Sequence, residues 1–338
     1  MKQAILYGAG DLRIEDRPLD PTNLRDNQTY VKTLTTALST GTELGNYLGR
    51  SRDIPGAPDY PRPIGYCNVG VVSRVGSQVD GVKIGERVFS LKPHQSEYIA
   101  DQTELMVGVP ASVSSDEASL AYLAQLGLVA LRQARYEAGE NIAIIGLGVI
   151  GLRTCRLART LGAKVVAIAN SPARAEIARQ VGAHAAFLAG QLPAGELREI
   201  FGGSGADIVV LTANTWDAYR LAVEIARRNG RITVLGFPGR SQPLPAFNPL
   251  DPEWFYGKQL EIIGAGLAPL LNCAPEEVRF NARRNLEYLL ALMASGDLAL
   301  KQVISHRFPW NRMEEAYDLA QQHSKSLTAA VFDWTGAS

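Results

Sequence analysis

Between Asn141 and Arg174 the spacing of apolar residues changes twice. Ile142 to Ile145 form an unbroken apolar run, rich in β-branched side chains and too short for a helix, which predicts a buried parallel strand. Gly146-Leu147-Gly148-Val149-Ile150-Gly151 follows, and then Leu152, Cys155, Ala158 and Leu161 recur at helical spacing up to Gly162, a C-cap candidate. Val165 to Ala169 is a second apolar run. The polarity pattern therefore orders strand, glycine turn, helix, strand.

The same reading extends along the chain. Up to residue 110 the pattern predicts short strands at Ala4–Tyr7, Asp11–Asp16, Tyr30–Leu38, Asn68–Val75, Arg87–Leu91 and Ser96–Ala100, separated by Gly, Pro, Asn and Asp. Many short strands without long helices point to a small β-barrel-like domain. Arg50 to Pro63 holds four prolines and reads as an extended, ordered loop of the kind that often contacts substrate. From Asp116 to Glu137 the period turns helical, with Ser114 or Ser115 as cap. After the glycine turn come a helix at Ala173–Val181, strands near Phe187 and at Ala206–Leu211, a helix at Trp216–Arg228, and strands at Arg231–Leu235 and Leu260–Ile263. Strands alternating with helices predict a doubly wound parallel sheet. The tail reads as a helix from Pro275 to Ser295, a strand at Val303–Phe308, a helix at Met313–His323 and a strand at Ala329–Asp333.

Composition narrows the class. The chain has 338 residues, 46% of them apolar, and a formal net charge of zero, so neither nucleic acid nor an acidic membrane surface is an expected partner. No apolar run reaches membrane-spanning length and no signal-type segment opens the sequence, so a soluble, cytoplasmic protein is expected. The three cysteines, Cys67, Cys155 and Cys273, are scattered and form no C-x-x-C.

A G-x-G-x-x-G between a strand and a helix is the dinucleotide fingerprint. Gly146 makes the tight turn, Gly148 lets the backbone approach a pyrophosphate, and Gly151 lets the helix pack on the strand. The N–H groups at Val149 and Ile150 open the helix, where free donors and the dipole favour an anion. The other reading is a glycine turn with no ligand. An NAD site places a carboxylate at the end of the second strand. Here Ala169 is followed by Asn170, Ser171 and Arg174, with no carboxylate before Glu176. Neutral donors and a guanidinium suit a 2′-phosphate, so NADP(H) is the expected cofactor. The alternative is a solvated Arg174 and slack selectivity.

Several stretches resemble the medium-chain dehydrogenase/reductase superfamily across nearly the whole chain. Gly65-Tyr-Cys-Asn-Val-Gly-Val-Val stands where that family has G-H-E-x-x-G-x-V, and Gly81-Val-Lys-Ile-Gly-Glu-Arg-Val matches its G-x-x-x-G-D-R-V turn. Val234-Leu-Gly-Phe and Glu261-Ile-Ile-Gly match strand ends on the nicotinamide side, and Phe308-Pro precedes Glu314-Glu-Ala-Tyr, the start of the terminal helix. Ser39-Thr-Gly-Thr-Glu-x-x-x-Tyr-x-Gly resembles the branch with bacteriochlorophyllide a dehydrogenase and threonine- or sorbitol-dehydrogenase-like proteins. The resemblance implies an α/β fold: a GroES-like β-barrel catalytic domain (1–118), a Rossmann nucleotide-binding domain (119–266) and a C-terminal return (267–338). It adds Thr212, Ala213, Gly236 and Phe237, at strand ends, to the expected cofactor contacts. It also implies a homodimer paired through the edge strand at Leu260–Ile263.

Zinc-dependent relatives hold the metal through a Cys in the first motif, the His of G-H-E, and a later Cys or Glu. This chain carries Ser39 or Thr40 in the first motif, Tyr66-Cys67 for His-Glu, and Ala124-Gln125 in the third region. One candidate ligand, Cys67, does not make a zinc site, so no metal is expected. Hydrogen-bond donors must then polarise the carbonyl. Tyr66 is the first candidate donor, with Thr42 near the family's proton-relay hydroxyl, Glu43 beside it, and His94 after Phe89-Ser-Leu-Lys in a pocket-lining region. Each also has a structural reading: Tyr66 packed with its hydroxyl on a backbone carbonyl, Thr42 a turn hydroxyl or phosphate contact, Glu43 a buried structural partner of Arg62 or another base, His94 a solvated loop residue. Trp254-Phe255-Tyr256 walls the pocket, forms a dimer surface or packs as an ordinary helix. Three functions remain open: NADP(H)-dependent interconversion of a carbonyl and an alcohol on a polyol, sugar or specialised metabolite; reduction of an activated C=C bond; and nucleotide binding without turnover.

Overall fold

The computed structural model describes residues 1–50, 59–191, 194–239, 243–266, 279–298, 301–322 and 326–337. The chain divides into two compact units, residues 1–122 with 269–338, and residues 123–268.

The first unit is built on antiparallel pairing. Strands β1 (Lys2–Gly8) and β2 (Asp11–Asp16) form a hairpin, and β3 (Gln28–Ala37) runs on to a six-residue helix, α1 (Thr42–Tyr47). Strand β4 (Arg62–Pro63) pairs with β1, and β5 (Asn68–Val75), β6 (Arg87–Ser90), β7 (Glu97–Asp101) and β8 (Met106–Gly108) follow. The expected helix at Asp116–Glu137 is instead two helices, α2 (Ser115–Ser119) and α3 (Ala121–Gln133). The break has a local cause: the Ser119 hydroxyl donates to the Asp116 carbonyl and the Leu120 N–H to that of Glu117, tightening the last turn of α2. Ser114 is the cap, accepting the Glu117 N–H.

In the second unit β9 (Asn141–Ile145), α4 (Val149–Thr160), β10 (Lys164–Ala169), α5 (Pro172–Gln180), β11 (Ala185–Leu188) and α6 (Ala194–Ile200) alternate, followed by β12 (Ala206–Leu211), α7 (Trp216–Ile225), β13 (Ala226–Val234) and β14 (Glu261–Gly264). All six strands pair in parallel, in the order β11-β10-β9-β12-β13-β14. Ile142 to Ile145 and Val165 to Ala169 are buried, as continuous apolar runs between two helical layers must be. The strand order reverses between β9 and β12, the position at which sheets of this kind bind ligands beyond their carboxyl ends. Helix α7 ends at Ile225, three residues before the expected Arg228, because Ala226 already pairs with Ala206 and Arg227 bonds Asp207. Tertiary pairing overrides local helical spacing there.

The tail adds α8 (Ala282–Ala294), β15 (His306–Pro309), α9 (Met313–Gln321) and β16 (Ala330–Asp333). Strand β16 pairs antiparallel with β3, placing residues 330–333 in the sheet begun near the N-terminus, in the order β15-β16-β3-β5-β6-β8. The start of the expected Pro275 helix, Cys273, the centre of the Arg50–Pro63 loop and His323 lie outside the described residues. Trp254 and Phe255 pack against the sheet core, whereas Tyr256 is 82% exposed. No helix among the described residues is long and apolar enough to cross a membrane.

One glycine fixes the junction of β9 and α4. A Cβ on Gly151 would lie 1.9 Å from the Gly146 carbonyl oxygen, so a backbone atom would have to move. Gly151→Ala is expected to destabilise the protein by about 3 kcal/mol through overpacking, read as a lower midpoint of thermal unfolding without nucleotide.

Candidate active site

The nucleotide loop lies wholly in the second unit. Gly146 has φ +93°, a left-handed conformation that only glycine adopts without strain, and its N–H bonds the Ile168 carbonyl. Gly148 caps α4 with no side chain, leaving the Val149 and Ile150 end of a twelve-residue helix open to an anion. The Thr212 hydroxyl donates to the Gly146 carbonyl at 2.6 Å, tying the end of β12 to the turn. A Cβ on Gly236 would meet the Thr212 and Ala213 carbonyls, so this glycine is also set by close approach. The ends of β9, β12 and β13 thus meet around one turn, a cradle that fits a dinucleotide. Phe237 is 62% exposed beside it.

At the end of β10, Asn170 is exposed and Arg174 is partly buried on α5. Burial lowers the Arg174 pKa. Ser171 is buried and its hydroxyl accepts the Arg174 N–H, capping α5. Its oxygen is committed to the helix end, so Asn170 and Arg174 present the accessible polar surface of this trio.

The polar residues singled out in the first unit converge on one buried carboxylate. Glu43 Oε1 accepts the Ser39 backbone N–H at 2.9 Å, and Oε2 lies 2.8 Å from His94 Nε2 and accepts the Tyr317 hydroxyl at 2.9 Å. His94 Nδ1 lies 2.7 Å from Thr36 Oγ1, which also accepts the Trp334 indole N–H at 2.9 Å. Toward an ionised Glu43, which only accepts, Nε2 is the donating ring nitrogen, while Nδ1 faces the Thr36 hydroxyl, which can give or accept. Both residues are buried: His94 is 0% exposed and Glu43 1%. The alternative reading of His94 as a solvated loop residue therefore fails, and the base that Glu43 partners is His94, beside Tyr317 and Ser39. His94, with both ring nitrogens engaged, is a support behind the site and presents no free nitrogen to a ligand. Gly65, at φ +98°, lets the chain lie on the imidazole, since a Cβ there would sit 2.6 Å from His94 Cδ2.

Directly after Gly65, Tyr66 is half-buried and donates its hydroxyl to Ser39 Oγ at 2.5 Å, not to a backbone carbonyl. Its hydroxyl also bonds the side chain of Thr42, which is exposed on the first turn of α1. Burial raises the Tyr66 pKa well above 10, with the Cys67 and Glu43 charges adding in the same sense, so the phenol keeps its proton at neutral pH. The Tyr122 ring packs edge-on at 5.7 Å. The arrangement is a hydroxyl group, Ser39, Thr42 and Tyr66, backed by a buried acid–imidazole pair.

Residues 149–277 match the family described as zinc-binding dehydrogenase. The chain is 23% identical over 361 residues to a sorbitol dehydrogenase of Bacillus subtilis, covering 95% of this chain and 94% of that protein. It is 24% identical over 301 residues to a 2-dehydro-3-deoxy-L-galactonate 5-dehydrogenase of Pseudoalteromonas atlantica, covering 80% and 82%. Its fold superposes with a TM-score of 0.81 on galactitol-1-phosphate dehydrogenase from Escherichia coli, at 20% identity, over 98% of this chain and 100% of that one. These matches liken the chain to the medium-chain dehydrogenase/reductase superfamily. Its two-unit α/β architecture is that of the family.

The match raises the question of the metal that the family description names. Zinc takes thiolate, imidazole or carboxylate ligands, three of them in a catalytic site. No group of three His, Cys, Asp or Glu among the described residues is placed to hold a metal ion. Of the positions where zinc-dependent relatives would contribute ligands, Ser39 and Tyr66 bond each other, and the nearby carboxylate and imidazole are bonded to one another and to Ser39, Tyr317 and Thr36. This donor set does not fit a catalytic zinc.

Thr36, Trp334 and Tyr317 were not singled out from sequence. Each reads there as a strand or helix residue, and only the long-range pairing of β16 with β3 and the position of α9 bring them to Glu43. Gln125 was seen only as a lost ligand position, but the structure gives it a different character. It is 0% exposed and neither amide atom has a hydrogen-bond partner. An unmade buried bond costs more than an absent one. Gln125→Met is expected to stabilise the protein by about 1 kcal/mol, seen as a higher thermal midpoint.

Proposed function

We propose that this protein is a zinc-independent, NADP(H)-preferring oxidoreductase that interconverts a carbonyl and an alcohol on a small polyol-, sugar- or metabolite-type substrate. The reading rests above all on one observation: the half-buried Tyr66, which stands in the sequence where zinc-dependent relatives carry the His of G-H-E, has its hydroxyl bonded to Ser39 and Thr42 and its pKa raised by burial. The intact glycine cradle and the dehydrogenase relatives support the cofactor and reaction class.

When bound, the nicotinamide supplies or accepts the hydride. The protein's part is to hold the dinucleotide and manage the oxygen. Gly146, Gly148 and Gly151 bring backbone N–H groups of Val149 and Ile150 toward the pyrophosphate. Thr212, Ala213, Gly236 and Phe237 border the cradle at the strand ends. Asn170 and Arg174 select for a 2′-phosphate. In reduction, Tyr66 donates to the substrate oxygen, its proton moving to that oxygen as the carbon gains hydride. Ser39 orients the phenol, and exposed Thr42 returns a proton from solvent. Glu43 and His94 act through Ser39 and Tyr66 as positioning residues. We also read β14, at the end of the sheet order, as the edge through which two copies pair.

Incubation with NADPH and a panel of ketones, keto-sugars and enones, with products identified by NMR, tests the reaction. An alcohol product is expected; a saturated ketone would move the protein to C=C reduction, and tight NADPH binding without any product from the panel would count against turnover. Tyr66→Phe is expected to lower kcat/KM by about 100-fold while leaving NADPH affinity unchanged. Arg174→Ala is expected to weaken NADPH binding at least about tenfold and NADH binding little, by calorimetry. Metal analysis finding about one zinc per chain would overturn the metal-free reading.

A further inference from the structure

We propose that Tyr122 is a specificity-determining residue of the site, whose hydroxyl takes a second oxygen of the substrate: a hydroxyl on a carbon adjoining the carbonyl that Tyr66 serves. The inference rests on the reading of Tyr66 as the group that meets the reacting oxygen. It narrows the substrate to compounds oxygenated beside the carbonyl.

The polar groups around Tyr66 are bonded to one another. A phenol has one hydrogen to give, and Tyr66 gives its own to Ser39 Oγ, while Thr42 bonds the same phenol oxygen. Behind them the Ser39 N–H is on Glu43, and Glu43 and His94 bond each other, with Tyr317 and Thr36 on their far sides. Tyr66 can turn from Ser39 to one substrate oxygen. Glu43 and His94 are occupied and hold nothing for a second.

Tyr122 differs from all of these. It stands in the first turn of α3 and is the last residue of the first unit. Its ring is edge-on to that of Tyr66, with centroids 5.7 Å apart and planes at 77°, and both rings lie by the buried Cys67. Among the described residues its hydroxyl has no hydrogen-bond partner. Unlike the Gln125 amide, this hydroxyl is not sealed away, since the residue is only half-buried. Burial raises its pKa, with Cys67 adding in the same sense, so a ligand meets a neutral phenol that can give or accept.

A ring held by its neighbours that carries a reachable, unshared hydroxyl is preorganised for a ligand, because little side-chain freedom is lost when the bond forms. The two rings are in contact, so an oxygen bonded by Tyr122 belongs to an atom close to the one bonded by Tyr66. An oxygen one carbon away from the carbonyl meets that condition. A ketone lacking it leaves the phenol hydroxyl unanswered, which is how a site separates a substrate from its deoxy analogue.

Two ketones that differ by one hydroxyl beside the carbonyl, 3-hydroxy-2-butanone and 2-butanone, test this. Tyr122→Phe keeps the ring and removes its oxygen. With NADPH, this variant is expected to lose at least about fivefold more kcat/KM on the hydroxyketone than on the plain ketone. Each loss is referred to the unsubstituted protein, so the intrinsic reactivities of the two ketones cancel. Equal losses, or none, would overturn the proposal. A second readout needs no reaction, because NADPH cannot reduce an alcohol. 2,3-Butanediol and 2-butanol are titrated into the NADPH-bound protein and followed by saturation-transfer NMR. The unsubstituted protein is expected to bind the diol at least about fivefold more tightly, and Tyr122→Phe to lose that difference. No preference for the diol would overturn the proposal, and that measurement needs no variant to fold. Turnover of both ketones without a selective loss would keep the oxidoreductase reading and remove Tyr122 from it. Diol selectivity lost in Tyr122→Phe, with neither ketone turned over, would do the reverse.

Discussion

The first unit depends on the bonding of one carboxylate. Glu43 sits at the start of a six-residue helix too short to hold itself together in water, and its two oxygens collect donors from a backbone amide, a loop imidazole and a phenol on α9. Those three donors come from segments far apart in sequence, so the carboxylate fixes α1, the loop before β7 and α9 at a single point. Removing one partner from a buried charged cluster leaves a charge unanswered, at a cost of roughly 3–5 kcal/mol. Apolar packing supports the same junction: Tyr47 and Tyr317 lie 4.9 Å apart, with Leu44, Met313, Phe332 and Trp334 in one cluster.

The second unit follows a different logic. Its turn is defined by what cannot be present: Gly146, Gly151 and Gly236 each approach backbone too closely for a side chain. A polar network organises one unit and steric exclusion the other. The difference bears on how substitutions act. A change in the cradle meets a rigid backbone, whereas a change in the Glu43 network alters protonation and hydrogen-bond direction before it alters shape.

These two logics also explain how much was legible in the sequence. The parallel sheet was readable almost strand for strand, because buried parallel strands are continuous apolar runs and the helices between them keep a regular period. The glycine turn was readable because its spacing encodes its geometry. The helix ends at Leu120 and Ile225 were not, since a hydroxyl back-bond and a strand pairing decided them. In the other unit Tyr66, Thr42, Glu43 and His94 could be named from their positions in the motifs, but not their bonding. Nothing in Pro93-His94-Gln95 indicates a ring buried against Phe332, and nothing in Glu314-Glu-Ala-Tyr317 indicates a phenol aimed at residue 43. Such contacts depend on chain segments up to 298 residues apart, as between Trp334 and Thr36, and local pattern carries no signal at that range.

That last contact has a consequence for how the molecule is made. The nucleotide unit is a continuous stretch, residues 123–268, and can fold as soon as it leaves the ribosome. The other unit cannot close at that stage. Its sheet lacks β16, Thr36 lacks the indole of Trp334, and Glu43 lacks the phenol of Tyr317 until the tail has been synthesised. During that interval β3 has an open edge and the carboxylate at residue 43 lacks one of its donors. Residues 1–122 therefore reach their final form only after the later unit has been made, and the window in which they are vulnerable to misassembly is set by the time taken to translate the stretch up to the tail.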